Sequence, residues 1–115
     1  MNKEFILCAA IWVNDKQKHE QQPDNIEIGF VVCGRRHNNC YQTIKDLKGD
    51  VNIYFKSLNM SENNYREHQG FITSLDRYVN RKEGWKIAKI NNQIQFGLLA
   101  SEAEEDSILI SENLY

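Results

Sequence analysis

The chain has little of what most easily betrays a function. Its 115 residues contain one proline, Pro23, and no glycine-rich phosphate loop. No apolar run approaches the roughly 20 residues needed to cross a bilayer. The three cysteines, Cys8, Cys33 and Cys40, are an odd number without paired spacing, which excludes a disulfide framework and favours reduced thiols in a cytoplasm. The formal charge is only −2, so the whole chain is not a polyelectrolyte for long nucleic acid. The apolar N-terminal stretch Phe5 to Val13 is short and runs at once into Asn14-Asp15-Lys16, which suits a strand better than an export signal.

What is present is an ordinary mixture, 41% hydrophobic and 26% charged, in a length that makes one domain, 1–115, with a real core. Charge is uneven along it. Five of the 16 acids lie after residue 101 (Glu102, Glu104, Glu105, Asp106 and Glu112), which leaves 14 basic against 11 acidic groups before them. A mildly positive body ahead of an acidic tail suits a small anion. No internal repeat is evident.

Phe5–Val13 reads as a buried strand, and residues 14–25 as a long loop that leads to a second strand, Ile26–Cys33. Gly34 ends that strand. A helix follows, with Asn38 or Asn39 as its cap, Gly49 as its stop, and Cys40, Tyr41, Ile44 and Leu47 on one face. Residues 50–67 are polar around Val51, Ile53, Tyr54, Phe55 and Leu58, and their pattern does not choose between helix and strand. Gly70–Ser74 and Arg77–Val79 form a hairpin around Leu75-Asp76. Asn80-Arg81-Lys82-Glu83 then carries a capping-box pattern opening a second helix, with Ile87, Ala88 and Ile90 on its buried side and Trp85 flanking it. Gly84 costs that helix up to ~1 kcal/mol relative to alanine. Leu98-Leu99 and Ile108-Leu109-Ile110 are further apolar pieces, and Leu114-Tyr115 a docked end. The expected fold is α+β: a small twisted antiparallel sheet with two main helices, in one domain and oligomeric.

Two passages carry chemistry. Arg35-Arg36-His37 stands between a strand and a helix start, where backbone amides and the helix dipole favour an anion and arginine forks match phosphate oxygens. A merely solvated basic turn is the alternative. In Gln69-Gly70-Phe71-Ile72-Thr73-Ser74 and Arg77-Tyr78-Val79-Asn80-Arg81-Lys82-Glu83, Phe71 could stack on a purine for roughly 1–3 kcal/mol. Thr73 offers a hydroxyl, and Arg81 lies in the first helical turn. Against this, Phe71 also reads as a core residue on the inner side of its strand. Cys33, His37 and Cys40 are not a recognised zinc set, and His19 and His68 sit in polar stretches that suggest solvent. The Glu102–Asp106 run lacks calcium-loop spacing and reads as a solvated loop. No nucleophile, base and orienter come together, so no catalytic residue, metal or cofactor is expected.

Taken in order, Ile6-Leu7-Cys8-Ala9-Ala10-Ile11-Trp12, Gly34-Arg35-Arg36-His37, the two passages just quoted and the terminal Ser111-Glu112-Asn113-Leu114-Tyr115 resemble the first type of phage Thoeris anti-defence protein, a sponge family. The resemblance implies an α+β homo-oligomer in the bacterial cytoplasm. It would bind cyclic ADP-ribose isomers near subunit contacts without cleaving them, and some members would take cyclic oligonucleotides at a separate site. Carried over by position, ligand contacts fall on Arg35 or Arg36, Phe71, and the Asn80-Arg81 corner; in a binding module of this kind His37 and Thr73 are expected, from their own chemistry, to hydrogen-bond phosphate or ribose. The chain departs from that pattern in a longer 14–25 loop, an extended 50–64 segment, Gly84 for an expected alanine and Asn113 for an expected aspartate. The alternatives are a small phosphodiesterase or nucleotide hydrolase and a protein-directed inhibitor without a small-molecule ligand.

Overall fold

Eight residues rich in aliphatic side chains, Ile6–Val13, form strand β1, and its odd-numbered residues Ala9, Ile11 and Val13 are all fully buried. The computed structural model describes residues 3–60, 68–94, 109 and 114. Strand β2 spans Phe30–Gly34, β3 Gln69–Thr73 and β4 Tyr78–Asn80. They assemble in the order β2-β1-β3-β4, every neighbouring pair antiparallel. Three helices accompany them: α1, His37–Lys48; α2, Val51–Ser57; and α3, Arg81–Ile90. The fold is the expected α+β architecture.

Register assigns each side chain to a face, because successive strand residues point to opposite sides. Ala9 lies opposite Gly34 on one neighbour and Phe71 on the other, and Phe71 opposite Val79. This row faces the helices: Cys40 of α1 hydrogen-bonds the Ala9 carbonyl through sulfur, and Gly84 of α3 sits against the Phe71 ring. The inner face supplies the core, with Ile6, Ile11, Val13, Val32, Ile44, Phe55, Trp85, Ala88 and Leu109. The outer face carries Cys8, Ala10 and Trp12 of β1, Val31 and Cys33 of β2, Gly70 and Ile72 of β3, and Tyr78 and Asn80 of β4.

The loop from Asn14 to Gly29 is longer than the expected 14–25. Ile26–Ile28 is not strand, because Gly29 turns the chain at φ +84° and the β2 pairing begins only at Phe30. Polar side chains hold this loop to both edges of the sheet. The Gln22 amide oxygen accepts from Val31 N–H at 2.8 Å. Asn25 pairs with both backbone groups of Tyr78, accepting at 2.8 Å and donating at 2.6 Å, and so closes the outer edge of β4.

The cap of helix α1 lies two residues before Asn38 and three before Asn39, the expected caps. Arg36 is its N-cap, and Asn39 instead accepts from the Arg36 N–H at 3.0 Å. Gly49 ends it at φ +85°, its N–H returning to Lys45 O at 2.8 Å. Leu47 and Ile90, expected on buried faces, are 66% and 76% exposed, each in the last turn of its helix. Trp85, expected at the flank, is buried. The undecided 50–67 segment holds α2, whose Asp50 cap accepts from Ile53 N–H at 3.0 Å. Its Val51, Tyr54, Phe55 and Leu58 recur at helical spacing, a signal present in the sequence. In the β3–β4 turn Asp76 takes φ 58°, a conformation aspartate tolerates, and its N–H returns to Thr73 O at 3.1 Å. Leu109 and Leu114 both pack onto the core. The features expected at Leu98-Leu99, in the acidic run and at Asn113 lie outside the described residues.

Candidate functional site

The first turns of α1 and α3 meet over one ring. His37, the first residue of α1, lies edge-on to Phe71 with centroids 5.2 Å apart, and its Nε2–H donates to the Gly70 carbonyl at 2.9 Å. Gly84, in the first turn of α3, faces the same ring, where an added Cβ would stand 3.1 Å from Phe71 Cδ2. That contact is the reason for a glycine inside this helix despite its propensity cost. Two helix N-termini, each a positive dipole end, therefore converge beside Gly70.

The residues singled out in sequence divide between this junction and the core. Arg35 is exposed in the bend before α1, and Arg36 is half-buried at its cap. His37 is buried by its bonds to Gly70 and Phe71. Phe71 is fully buried, so no face of its ring is open to a base. Thr73 is 1% exposed at the other end of β3, away from the helix starts. Its hydroxyl donates to Glu4 Oε2 at 2.7 Å and accepts from Leu75 N–H at 3.3 Å. Asn80 caps α3, its Oδ1 accepting from Glu83 N–H at 2.8 Å. Arg81, the next residue, is half-buried, and its carbonyl accepts from Leu109 N–H at 2.9 Å. The structure thus brings Arg36, His37, Phe71, Asn80 and Arg81 to one junction and leaves Thr73 outside it.

The expected reciprocal capping bond is not made by Glu83. Its carboxylate binds Arg77 at 2.7 Å instead, and Arg77 also grips Glu4 through Nε at 2.8 Å. Burial works to raise the Glu4 carboxyl, but the Thr73 and Arg77 hydrogen bonds and the Arg77 charge bring it below its ordinary value.

Around the corner from this junction, on the outer face, lies a cleft of about 550 Å³. Trp12 and Tyr78 supply its aromatic surface. Asn25, Asn80, Asp24, Glu27 and Glu83 supply its polar groups. The Trp12 indole is anchored by donating to Ile28 O at 2.9 Å. The Tyr78 ring lies across Gly70, where a Cβ would come within 2.8 Å of its Cζ and hydroxyl, and the hydroxyl donates to His68 O at 2.8 Å. Burial pushes the Tyr78 phenol up while the Arg81 charge works against that rise, so Arg81 lies within electrostatic reach of the cleft wall. The cleft can accept a planar ring against its aromatics and hydroxyl or amino groups on its carboxylates.

Sequence reading missed Trp12, Asn25 and Tyr78 as site residues. Tyr78 and Asn80 share the parity of a strand whose Val79 belongs to the core, and that alternation was the available signal. No sequence signal brings Asn25 to Tyr78 across 53 positions. His68, expected in solvent, is 2% exposed. It accepts from the Tyr41 hydroxyl at 2.8 Å, which in turn accepts from Gln69 Nε2 at 2.5 Å, and it packs on Phe55. His19 is half-buried against Phe30 and paired with Asp15 at 2.6 Å. The Cys33, His37 and Cys40 trio is divided between the two faces of the sheet, and the described residues hold no group of three or more metal-binding side chains. No described helix is long and apolar enough to cross a membrane.

A family model described as Phage T4 y16D protein matches residues 5–115 of this chain. No curated protein and no solved structure matches it.

Proposed function

Because the chain belongs to the Phage T4 y16D protein family, we propose that it is a phage-encoded binding protein that sequesters a cyclic nucleotide immune signal in the host cytoplasm. The ligand is a cyclic ADP-ribose isomer, held without cleavage, and cyclic oligonucleotides are the next class to test. The observation that carries this reading is the outer cleft, bordered by Asn80 and Glu83 at the α3 N-terminus and with Arg81 within electrostatic reach of its Tyr78 wall. Its volume of about 550 Å³ is within the roughly 300–1,000 Å³ of ordinary small-ligand sites. Phe71, buried in the core, hands the stacking role to Trp12 and Tyr78. Asp24 and Glu27 accept from ribose hydroxyls, and Arg81 with the first amides of α3 takes a phosphate. Arg35 and Arg36, at the neighbouring helix start, take a second phosphate or the same group in a homo-oligomer. Affinity comes from pre-organisation: the indole and phenol that form the walls are already fixed by hydrogen bonds at 2.9 and 2.8 Å.

The test is to incubate the protein with a panel of cyclic ADP-ribose isomers and cyclic di- and trinucleotides, then chromatograph the free ligand before and after heat denaturation. A ligand that disappears and returns intact supports sequestration. A ligand that returns as products makes the protein a phosphodiesterase or nucleotide hydrolase. A second reading rests on the three carboxylates of the cleft, Asp24, Glu27 and Glu83, which with two aromatic rings also suit a basic segment of a host protein. If every nucleotide stays in solution throughout, that reading replaces the first.

A further inference from the structure

The rings of the outer cleft offer their faces rather than their polar ends. The Trp12 indole N–H is taken up by Ile28 O at 2.9 Å, and the Tyr78 hydroxyl by His68 O at 2.8 Å. One face of the Tyr78 ring lies over Gly70, which leaves the other to the cleft that the ring lines. The charge around these rings is of one sign. Asp24, Glu27 and Glu83 line the cleft, and its described lining residues include no lysine, arginine or histidine.

The three carboxylates are not equivalent. Glu83 is bound by Arg77 at 2.7 Å, and Arg77 is itself held by Glu4 at 2.8 Å, so that charge is answered within the fold. Among the described residues no ion pair or side-chain hydrogen bond engages the carboxylates of Asp24 and Glu27. Both stand on the loop that Asn25 pins to Tyr78 at 2.8 and 2.6 Å. The Asp24 N–H adds a bond to Asp76 O at 2.7 Å. The loop therefore carries the two unanswered carboxylates at a fixed place beside the Tyr78 ring. Arg81 acts on the Tyr78 phenol from outside the lining.

We propose that this cleft, on the reading of it as the nucleotide site, selects a heteroaromatic base made cationic by substitution on a ring nitrogen. Aromatic faces attract a cation, and the fixed carboxylates complement its charge. Trp12 and Tyr78 take the ring, and Asp24 and Glu27 its charge. Each carboxylate has acceptor sites left for a ribose hydroxyl. A neutral base of the same size is disfavoured, because it covers both carboxylates and leaves their charge unpaired. With the phosphate of that reading toward Arg81, the ligand is a zwitterion.

Two isomeric methylated nucleosides separate charge from size. At pH 7 1-methyladenosine is a ring cation, while N6-methyladenosine carries the same methyl group on a neutral base. Each is titrated against the full chain and read by quenching of the half-buried Trp12, Trp85 being buried. 1-Methyladenosine is expected to bind about tenfold more tightly at low salt. The ratio is expected to shrink as salt rises, because Asp24 and Glu27 are exposed. In the double variant Asp24→Asn, Glu27→Gln it is expected to fall to about one. Equal binding of the two nucleosides, or binding of neither, overturns the inference, whereas the sequestration reading is decided by its own panel of cyclic nucleotides. A ratio unchanged in the double variant, or indifferent to salt, overturns the assignment to Asp24 and Glu27.

Discussion

The two faces of the four-stranded sheet are built from the same strands and do different work. The inner face carries Ala9, Ile11, Val13, Phe71 and Val79, none more than 2% exposed, under α1 and α3. The outer face carries Cys8, Trp12, Cys33, Tyr78 and Asn80, all at least partly accessible, under a loop pinned by Gln22 and Asn25. Neighbours in sequence are therefore separated in role: Phe71 and Thr73 are committed to the core and to Glu4, while Tyr78 and Asn80 look onto the cleft. In a strand, one position decides whether a side chain holds the fold together or meets a ligand.

Substitutions test that division, and the inner face yields the largest effects. Phe71→Ala removes a fully buried ring that His37 and Gly84 pack against, and it should cost about 3–5 kcal/mol in denaturant unfolding. A loss under 1 kcal/mol would mean that the ring is not in the core. Gly70→Ala sits where the faces meet, because its Cβ would stand 2.1 Å from Val79 O and 2.8 Å from the Tyr78 ring. It should destabilise by about 1–3 kcal/mol and move Tyr78. Near-wild-type stability with unchanged Tyr78 fluorescence would remove the phenol from its place over the strand. Asn80→Ala loses the cap of α3 and should cost about 1 kcal/mol, read as a lower melting temperature.

The pH dependence gives a smaller effect on the edge joining the two faces. Glu4 titrates below its ordinary 4.5 in the folded chain, held there by Thr73 and Arg77 against burial. A depressed carboxylate stabilises the fold above the unfolded value, and the contribution fades as pH falls through the lower folded value. Glu4→Gln should therefore flatten the loss of stability below pH 4.5 in acid unfolding. An acid limb identical to wild type would detach Glu4 from the network. Smallest of all is Gly84→Ala, where up to about 1 kcal/mol of helix propensity opposes a 3.1 Å approach to Phe71, so the melting temperature should barely move.

Much of the inner architecture was legible because it follows periodicity. β1, the Leu75-Asp76 turn, the Asn80 cap and the Gly49 stop each rest on local chemistry that a short window contains. The α2 helix was legible too, through Asp50 and the 51, 54, 55, 58 spacing, but a polar surrounding masked it. The Ile26–Ile28 run failed as strand because burial there depends on a tertiary turn at Gly29, which hydrophobicity does not report. The outer site was least legible. Asn25, Trp12 and Tyr78 come from three separate segments, and only the register of β1, β3 and β4 puts them around one cleft. Phe71, expected as the stacking ring, has the core-facing parity of β3, whereas the rings of the cleft come from β1 and β4.

The central claim is that ligand recognition belongs to the outer face, and isothermal titration of a cyclic ADP-ribose isomer against two folded variants tests it most directly. Trp12→Leu should weaken binding by roughly 1–3 kcal/mol, the value of one base–aromatic stack, while Phe71→Leu should lower stability and leave the affinity unchanged. Full affinity in Trp12→Leu together with lost affinity in a folded Phe71→Leu would contradict the account and return the site to the inner junction.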